Sequence, residues 1–145
     1  MSLILVAIDG SEGSDRAIDY AARRAKADGA ELLLANVVGG YGLPETIFAA
    51  LTHDQSLWLK ELLESESART LTMGRDHALK AGAGTVLLES RTGEVSRTII
   101  EIAKEKRAEA IVVGKSGLGH VAGALLGSVA QKLVALCTVP LTVVP

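Results

Sequence analysis

The hydrophobic pattern of this chain consists of short, unbroken apolar runs separated by longer segments in which apolar residues recur at helical spacing. The runs are rich in branched side chains, which is typical of strands buried on both faces of a parallel sheet. Strands are therefore predicted at residues 3–8, 31–38, 85–89, 110–113 and 139–144. A segment with several glycines and a proline, residues 39–44, ends the second strand.

The first helix is predicted between Ser14, which stands where an N-cap residue would, and Gly29, which stops the helix. Between them, apolar side chains recur at helical spacing: Ala17, Ile18, Ala21, Ala22 and Ala25. This helix follows directly on the first strand.

Three further helices are predicted. A long helix-favouring segment spans residues 45–81, and its candidates for inward-facing side chains are Leu57, Leu62 or Leu63, Leu71 and Leu79. The segment 95–106 has as its inward candidates Ile99, Ile100, Ile102 and Ala103. The last helix is predicted at 129–136, just before the final strand.

Strands that alternate with helices predict an α/β fold, because parallel strands need crossover connections and these are right-handed. We expect a doubly wound, Rossmann-like sheet of five parallel strands with helices on both faces. A length of 145 residues fits a single domain over residues 1–145, and an apolar content of 48% can supply its core.

Composition narrows the possible functions. The 15 basic and 17 acidic residues are spread along the chain, so no basic surface for nucleic acid or an anionic membrane is evident. No apolar run approaches the roughly 20 residues of a membrane span, and residues 2–8 are too few for a signal peptide. Cys137 is the only cysteine, which excludes an internal disulfide and a cysteine-rich zinc site. We expect a cytoplasmic protein that binds neither nucleic acid nor membrane.

Glycines mark the segment between the fourth predicted strand and the last helix. Gly114 and Gly117 follow the strand, and Gly127 with Ser128 precedes the helix, in the spacing Gly-x2-Gly-x9-Gly-Ser. Glycine lets backbone approach a ligand closely, and a helix N-terminus offers unpaired N–H groups to an anion. The pattern predicts a phosphate-binding loop, although each glycine alone could mark a turn or a helix stop.

Two other phosphate motifs do not fit this segment. A P-loop would need a glycine five residues before Gly114, where the chain has Glu109. A dinucleotide fingerprint beginning at Gly117 would need a third glycine where the chain has Ala122.

The glycine spacing resembles the nucleotide-binding signature of the universal stress protein family. The likeness extends to residues 4–11 (ILVAIDGS), 108–114 (AEAIVVG), 125–133 (LLGSVAQKL) and 139–144 (VPLTVV). The resemblance implies the strand order 3-2-1-4-5, in which ligands bind outside the carboxyl ends of strands one and four. It also implies ATP, or ADP or AMP, as the ligand, Mg²⁺ held through the phosphates, and a homodimer paired through the C-terminal strand.

The resemblance carries roles onto matching positions. Asp9 would bind the ribose or steady the first loop, with a turn or N-cap residue as the alternative. Val37 would present its backbone to the adenine edge. The complete predicted site is Ala7, Ile8, Asp9, Val37, Val113, Gly114, Lys115, Ser116, Gly117, Gly127, Ser128 and Val129.

Within that site, Gly114 and Gly117 would wrap the sugar and inner phosphates, and the Gly127-Ser128 step would meet the outer phosphates. Ser116 departs from the family, many of whose members carry Arg or His there, so Lys115 or His120 would supply the positive charge. The two glycines between the motif positions, Gly119 and Gly123, are expected to give the loop mobility.

Other candidates are weaker. The three histidines are far apart and lack metal-ligand spacing, so we expect them on the surface or on a helix face: His53, His77 and His120. Cys137, at the end of an apolar helix, is expected to be a small buried hydrophobe. Trp58 is either a core residue or a contact to a partner.

The function predicted from this pattern is that of a nucleotide-dependent regulatory module in stress response. The segment offers phosphate donors but no evident general base, which argues against an enzyme. A slow ATP phosphohydrolase using the same site remains the alternative, as does a dimeric stress protein that has lost nucleotide binding. Its protein partners cannot be predicted from the sequence.

Overall fold

The computed structural model describes residues 2–39, 45–117 and 126–145, and within these ranges the side chains of residues 45 and 48 are not described. Five strands form one sheet: β1 (Leu3–Ala7), β2 (Glu31–Val38), β3 (Val86–Thr92), β4 (Ala110–Gly114) and β5 (Leu141–Val144). The helices are α1 (Glu12–Asp28), α2 (Glu45–Ala50), α3 (His53–Lys80), α4 (Val95–Lys106) and α5 (Ser128–Leu136).

The strands are parallel and lie in the order β3-β2-β1-β4-β5. β1 is central, and its Val6 faces Leu34 of β2 on one side and Val112 of β4 on the other. Successive strands are therefore added on one side of β1 up to β3, and on its other side from β4 onward, so the strand order reverses between β1 and β4. The predicted α/β fold and strand order are confirmed.

Side chains alternate between two cores along the central strand. Ile4 and Val6 pack with α1 and α3 on one face, whereas Leu3 and Leu5 pack with α4 and α5 on the other. Because helices cover both faces of the sheet, β1 is buried throughout, and its sequence is a continuous apolar run.

The start of α1 differs from the prediction. Its N-cap is Ser11, whose hydroxyl accepts from the N–H of Ser14 at 3.2 Å. Gly10 adopts a left-handed φ of 84°, which turns the chain at once after the strand and lets the helix begin earlier. Ser14 is thus a residue of the first turn. The predicted stop at Gly29 is confirmed, with φ 69° and an N–H bond to the Ala25 carbonyl.

The segment predicted as one helix over 45–81 is two helices. The break lies at Thr52, which caps α3 through a reciprocal pair of hydrogen bonds with Gln55. Residues 40–44, part of the predicted break after the second strand, lie outside the described residues.

The side of α3 that faces the sheet is also different from the prediction. Leu71 is buried as expected. Of the alternatives Leu62 and Leu63, only Leu63 is partly buried, and the other two predicted inward leucines, Leu57 and Leu79, are exposed. The buried face is instead built from small residues, Ser67, Gly74 and Ala78. They allow the helix to approach the sheet more closely than a leucine face would.

Two strand ends differ from the prediction by more than one residue. β3 continues to Thr92, beyond the predicted residue 89, because its four consecutive polar residues, 89–92, continue the pairing with β2 as far as Val38. β5 begins at Leu141 rather than at residue 139, since Pro140 has no N–H to donate, although its carbonyl accepts from Ile111 at 2.9 Å. Among the described helices, none is both long and apolar enough to cross a membrane.

Gly74 provides a test of the α3 packing. A Cβ atom there would lie 2.9 Å from Ile8 Cδ1 and 3.2 Å from Leu34 Cδ1. We expect Gly74→Val to lower the free energy of unfolding by about 1–3 kcal/mol through overpacking. Gly84→Val is the control, because a Cβ at Gly84 meets no atom within 4 Å. Urea denaturation measures both, and equal stability of the two variants would contradict the close packing.

Candidate functional site

The principal cleft lies at the carboxyl ends of β1, β2 and β4 and has a volume of about 830 Å³. The first turns of α4 and α5 form its other walls. Every residue of the sequence-predicted site lines it, from Ala7 at the end of β1 to Val129 in α5. Lining residues that the sequence did not single out are Ser11, Ser14, Ala35, Asn36, Gly39, Val95, Ile99, Leu126, Ala130 and Gln131.

The inner wall of the cleft is apolar. Val37 and Val113, at the ends of β2 and β4, are both buried among the residues that pack against α4 and α5. Ile99 of α4 closes this wall from the other side. The wall can hold a flat apolar group against the strand ends, while polar groups lie closer to the loops.

Asp9 joins the turn after β1 to the loop after β4. One carboxylate oxygen, Oδ1, accepts from the N–H of Ser11 at 2.9 Å, and the backbone N–H of Asp9 donates to the Ser14 hydroxyl at 3.1 Å. The other oxygen packs directly over Gly117, where any Cβ atom would overlap it. Glycine at 117 therefore makes room for the Asp9 carboxylate.

The other motif glycines are also in close contact with protein atoms. A Cβ at Gly114 would lie 2.7 Å from the carbonyl oxygen of Gly13, and one at Gly13 would overlap the carbonyl of Ser116. The loop 114–117 thus rests backbone to backbone on the start of α1. The prediction explained these glycines by the approach of a ligand, whereas the structure shows that the loop also needs them for its own packing.

The loop is tied to the two elements that follow it. The N–H of Lys115 donates to the carbonyl of Val144 in β5 at 2.7 Å, and the carbonyl of Lys115 accepts from the N–H of Gly127 at 2.7 Å. A Cβ at Gly127 would lie 3.2 Å from Ser116 Cα. The start of α5 is therefore held against the loop that follows β4.

The N-terminus of α5 faces the cleft. Its N-cap, Gly127, makes no side-chain capping bond, so the first-turn N–H groups are not capped by a side chain. Ser128 and Val129 of this turn line the cleft together with Lys115. Backbone N–H groups, a hydroxyl and an ammonium group on one wall suit an anionic group. His120, Gly119 and Gly123 lie outside the described residues.

A polar network that the sequence analysis missed supports the floor of the cleft. The amide nitrogen of Asn36 donates to the carbonyl of Ile8 at 2.8 Å, which links the ends of β2 and β1. Its amide oxygen accepts from the hydroxyl of Ser67 at 2.7 Å, and that hydroxyl lies 2.7 Å from the hydroxyl of Ser90. A polar residue inside the apolar run 31–38 was the signal available in the sequence.

Glu94 fixes the start of α4 beside the cleft. Its carboxylate accepts from the N–H of Arg97 at 2.9 Å and lies 3.4 Å from Lys132 Nζ. The Arg97 hydrogen bond is the main reason that the pKa of Glu94 lies below its usual range, and Lys132 adds to this. The cap thus holds Val95, the next residue, against the cleft.

The remaining candidates lie elsewhere. His77 forms a 2.7 Å contact with Asp19 between α3 and α1, and His53 is exposed. Cys137 is only partly buried, and its thiol donates to the Val139 carbonyl at 3.2 Å. Trp58 is exposed, so it does not belong to the core. Over residues 2–39, 45–117 and 126–145, no cluster of His, Cys, Asp or Glu could hold a metal ion.

The fold and the cleft define an open parallel α/β protein whose pocket lies where the strand order reverses. A sequence model of the Universal stress protein family matches the chain over residues 1–145. The chain therefore belongs to the universal stress protein family. A universal stress protein of Thermus aquaticus is 34% identical over 144 residues, which cover 97% of this chain and 96% of the relative.

Solved structures show the same architecture. A universal stress protein in complex with cAMP is 26% identical, with a TM-score of 0.73 over 99% of this chain and 95% of that one. The universal stress protein of Archaeoglobus fulgidus in complex with dAMP is 24% identical, with a TM-score of 0.69 over 100% and 98% of the two chains. Adenine nucleotides therefore occur as ligands among the structural neighbours.

Ser67 provides a test of the network beneath the cleft. Ser67→Ala removes the hydroxyl that donates to Asn36 and contacts Ser90, and leaves their polar atoms without that partner. We expect a loss of about 1–3 kcal/mol in the free energy of unfolding. Ser65→Ala, at an exposed position of the same helix, is the matched control and should change stability by less than about 0.5 kcal/mol. Chemical denaturation giving the same result for both variants would show that the network contributes nothing.

Proposed function

We propose that residues 1–145 act as one ATP-binding domain, able to take ADP or AMP as well, that serves as a nucleotide-dependent regulatory module in stress response. The observation that carries the proposal is the shared cleft. The apolar strand ends, the Asp9 carboxylate and the N-terminus of α5 all border the same cavity. Its volume of about 830 Å³ lies in the usual range for small-molecule sites.

The lining suggests how a nucleotide would be distributed along the cleft. The base would lie against the apolar wall, where Val37 offers main-chain groups, and the ribose would lie near Asp9. The inner phosphates would follow the loop 114–117. The outer phosphates would meet the first turn of α5, the Ser128 hydroxyl and the ammonium group of Lys115.

Mg²⁺, when ATP is bound, would be held by the phosphates and by water. It is a hard cation that keeps several water ligands and prefers oxygen atoms of the substrate. Asp9 is the only carboxylate among the described lining residues, and its Oδ1 accepts from Ser11. The described part of the cleft therefore offers phosphate ligands rather than a protein cage for the metal.

The family supports an adenine nucleotide as the ligand. The structural neighbour that is in complex with cAMP is 26% identical to this chain over 99% of its length. ATP, rather than a monophosphate, is the finer part of the proposal and rests on the anion-binding wall of α5. A binding module fits this lining better than a phosphohydrolase, because no described carboxylate or imidazole lines the α5 end of the cleft to activate water.

We further propose a homodimer through the C-terminal strand. β5 is an edge strand, so one side of its backbone has no neighbouring strand within the sheet. Leu141 and Val143 are only partly buried, and Val134 and Leu136 of the preceding helix, α5, are exposed. An apolar edge of this kind needs a cover, which a second β5 about a two-fold axis would provide.

The proposed location is the cytoplasm. The thiol of Cys137 is free and partly accessible, and free thiols persist more readily in a reducing compartment. The protein partners of the module are not indicated by the cleft or by the edge strand.

Nucleotide binding should stabilise the protein. We expect millimolar Mg-ATP to raise the melting temperature, by mass action on the native state. Lys115→Met should weaken ATP binding by about tenfold and AMP binding less, because it removes one charge-assisted contact to the outer phosphates. Lys104→Met, on the exposed side of α4, is the matched control. The proposal fails if calorimetry detects no heat and ATP, ADP and AMP all leave the melting temperature unchanged.

The proposed dimer can be tested by introducing a charged side chain into the β5 edge. Leu141→Asp or Val143→Asp should convert the dimer to a monomer, because a carboxylate cannot be buried unpaired between two strands. Leu87→Asp is the control, since Leu87 is an exposed residue of β3 at the opposite edge. Light scattering at micromolar concentration reports the mass, and a monomeric wild type would refute the proposal.

A further inference from the structure

The pairing of β2 with its two neighbouring strands ends at different residues. β1 pairs with β2 as far as Ala7, which lies opposite Ala35, whereas β3 pairs with β2 as far as Val38. One more hydrogen bond follows on the β1 side, from the N–H of Ile8 to the carbonyl of Ala35 at 2.9 Å. The last residues of β2 therefore have a strand beside them on the β3 side and the cleft on the β1 side.

Val37 directs its main-chain polar groups toward the cleft. Successive residues of a strand that is paired on both sides direct their N–H and carbonyl groups to opposite neighbours. The N–H of Glu31 donates to Ser2, just before β1, and odd-numbered residues of β2 thus face β1. Within the part of the chain that the structure describes, neither the N–H nor the carbonyl of Val37 has a main-chain partner. Strand groups of this kind at a buried position commonly meet a ligand or water.

The Asn36 side chain takes the place of the next bond in the ladder. If β1 and β2 continued in the same register, the carbonyl of Ile8 would accept from the N–H of Val37. That carbonyl accepts instead from Nδ2 of Asn36 at 2.8 Å. A side-chain amide therefore satisfies the end of β1, and the N–H of Val37 remains accessible from the cleft.

Ser67 fixes which end of the Asn36 amide faces Ile8. Its hydroxyl donates to Oδ1 of Asn36 at 2.7 Å, and Ser90 Oγ lies 2.7 Å from Ser67 Oγ. A flipped amide would place Oδ1 against the carbonyl oxygen of Ile8, where two acceptors repel each other. Ser67 is buried, so water does not readily replace its hydroxyl. The amide is thus held in the orientation that occupies the Ile8 carbonyl.

We propose that Asn36 is a positioning residue for recognition of the base, an inference that rests on the proposed nucleotide binding. By holding the Ile8 carbonyl, its side chain keeps the N–H and carbonyl of Val37 accessible to a ligand. A donor beside an acceptor fits a base edge on which an acceptor nitrogen adjoins an amino group, as in adenine. Hypoxanthine, the base of inosine, has the same rings but carries an N–H and a carbonyl in those places, so its edge leaves the Val37 groups unpaired.

Amide hydrogen exchange of the nucleotide-free protein tests the first step. We expect the protection factor of the Val37 N–H to be at least about tenfold lower than that of Ala35, which lies within the β1–β2 pairing. Asn36→Leu has a similar size but no donor, so the Ile8 carbonyl is left to the Val37 N–H. Exchange at Val37 should then become slower. No nucleotide is needed, so this result is independent of the proposed nucleotide binding.

Base preference tests the second step. Mg-ATP and Mg-ITP carry the same sugar and phosphates and differ only at the edge of the base. By calorimetry we expect the wild type to bind ATP about tenfold more tightly than ITP, and Asn36→Leu to lose most of this preference through weaker ATP binding.

Ser67→Ala is the matched control for that experiment. It removes one hydrogen bond of the same network but leaves Nδ2 of Asn36 on the Ile8 carbonyl. It should therefore lower stability and keep the preference for ATP. A role that was merely structural would predict the same loss of preference in both variants.

Three results would overturn the proposal. One is a Val37 N–H that is as protected as that of Ala35 in the nucleotide-free wild type, a measurement that does not require the variant to fold. Another is an unchanged ATP-to-ITP affinity ratio in Asn36→Leu. The third is an equal loss of preference in Ser67→Ala, which would assign the effect to general loosening of the strand end. A wild type that binds neither nucleotide refutes the proposed function and this inference together, whereas ATP binding with an unchanged ratio refutes the inference alone.

Discussion

The candidate site depends on the backbone contact between the loop that follows β4 and the start of α1. Gly114 lies against the carbonyl of Gly13, Gly13 lies against the carbonyl of Ser116, and Gly117 lies under the Asp9 carboxylate. No side chain larger than hydrogen fits between these atoms. The contact draws together the carboxyl ends of β1 and β4, where the strand order reverses, and leaves the cleft open beside them. The same glycines thus allow the loop to pack on α1, and the backbone of Gly114 and Gly117 lines the cleft.

The other side of the cleft is held by a different kind of packing. Small residues on α3 bring that helix close to the sheet, and the hydroxyl of Ser67 reaches the Asn36 side chain between β1 and β3. A polar pair is tolerated there because each member has a partner. Close approach of the helix buries its small face together with Leu71, whereas other large apolar residues of α3, such as Leu62 and Met73, are exposed.

Much of the fold could be predicted from the sequence. Continuous apolar runs located the five strands found in the described residues, and the bounds of β2 and α4 agree with the prediction. The family and the strand order are confirmed, although the order came from the family resemblance and not from periodicity. Several of the errors concern features that depend on tertiary contacts. The inward face of α3 could not be identified from its leucines, because the sheet selected the small residues instead.

Two features that the sequence analysis did not predict were marked by local signals in the sequence. The Thr52–Gln55 capping box marks the break between α2 and α3, and Asn36 interrupts an apolar strand. The predicted site residues all lie on one cleft, because sequence reasoning located the strand ends and topology brings such ends together. The close contacts of the glycines with protein backbone could not be read from spacing, since they arise between segments about 100 residues apart.

We propose that this cleft holds an adenine nucleotide with its phosphates at the N-terminus of α5. A titration of the isotopically labelled protein with Mg-ATP, followed by amide-resolved NMR, tests it most directly. The account predicts that the largest shifts occur at the N–H groups of Ser128, Val129 and Gly117, with smaller ones at Val37. Shifts confined to another surface, or no shifts at saturating nucleotide, would contradict it.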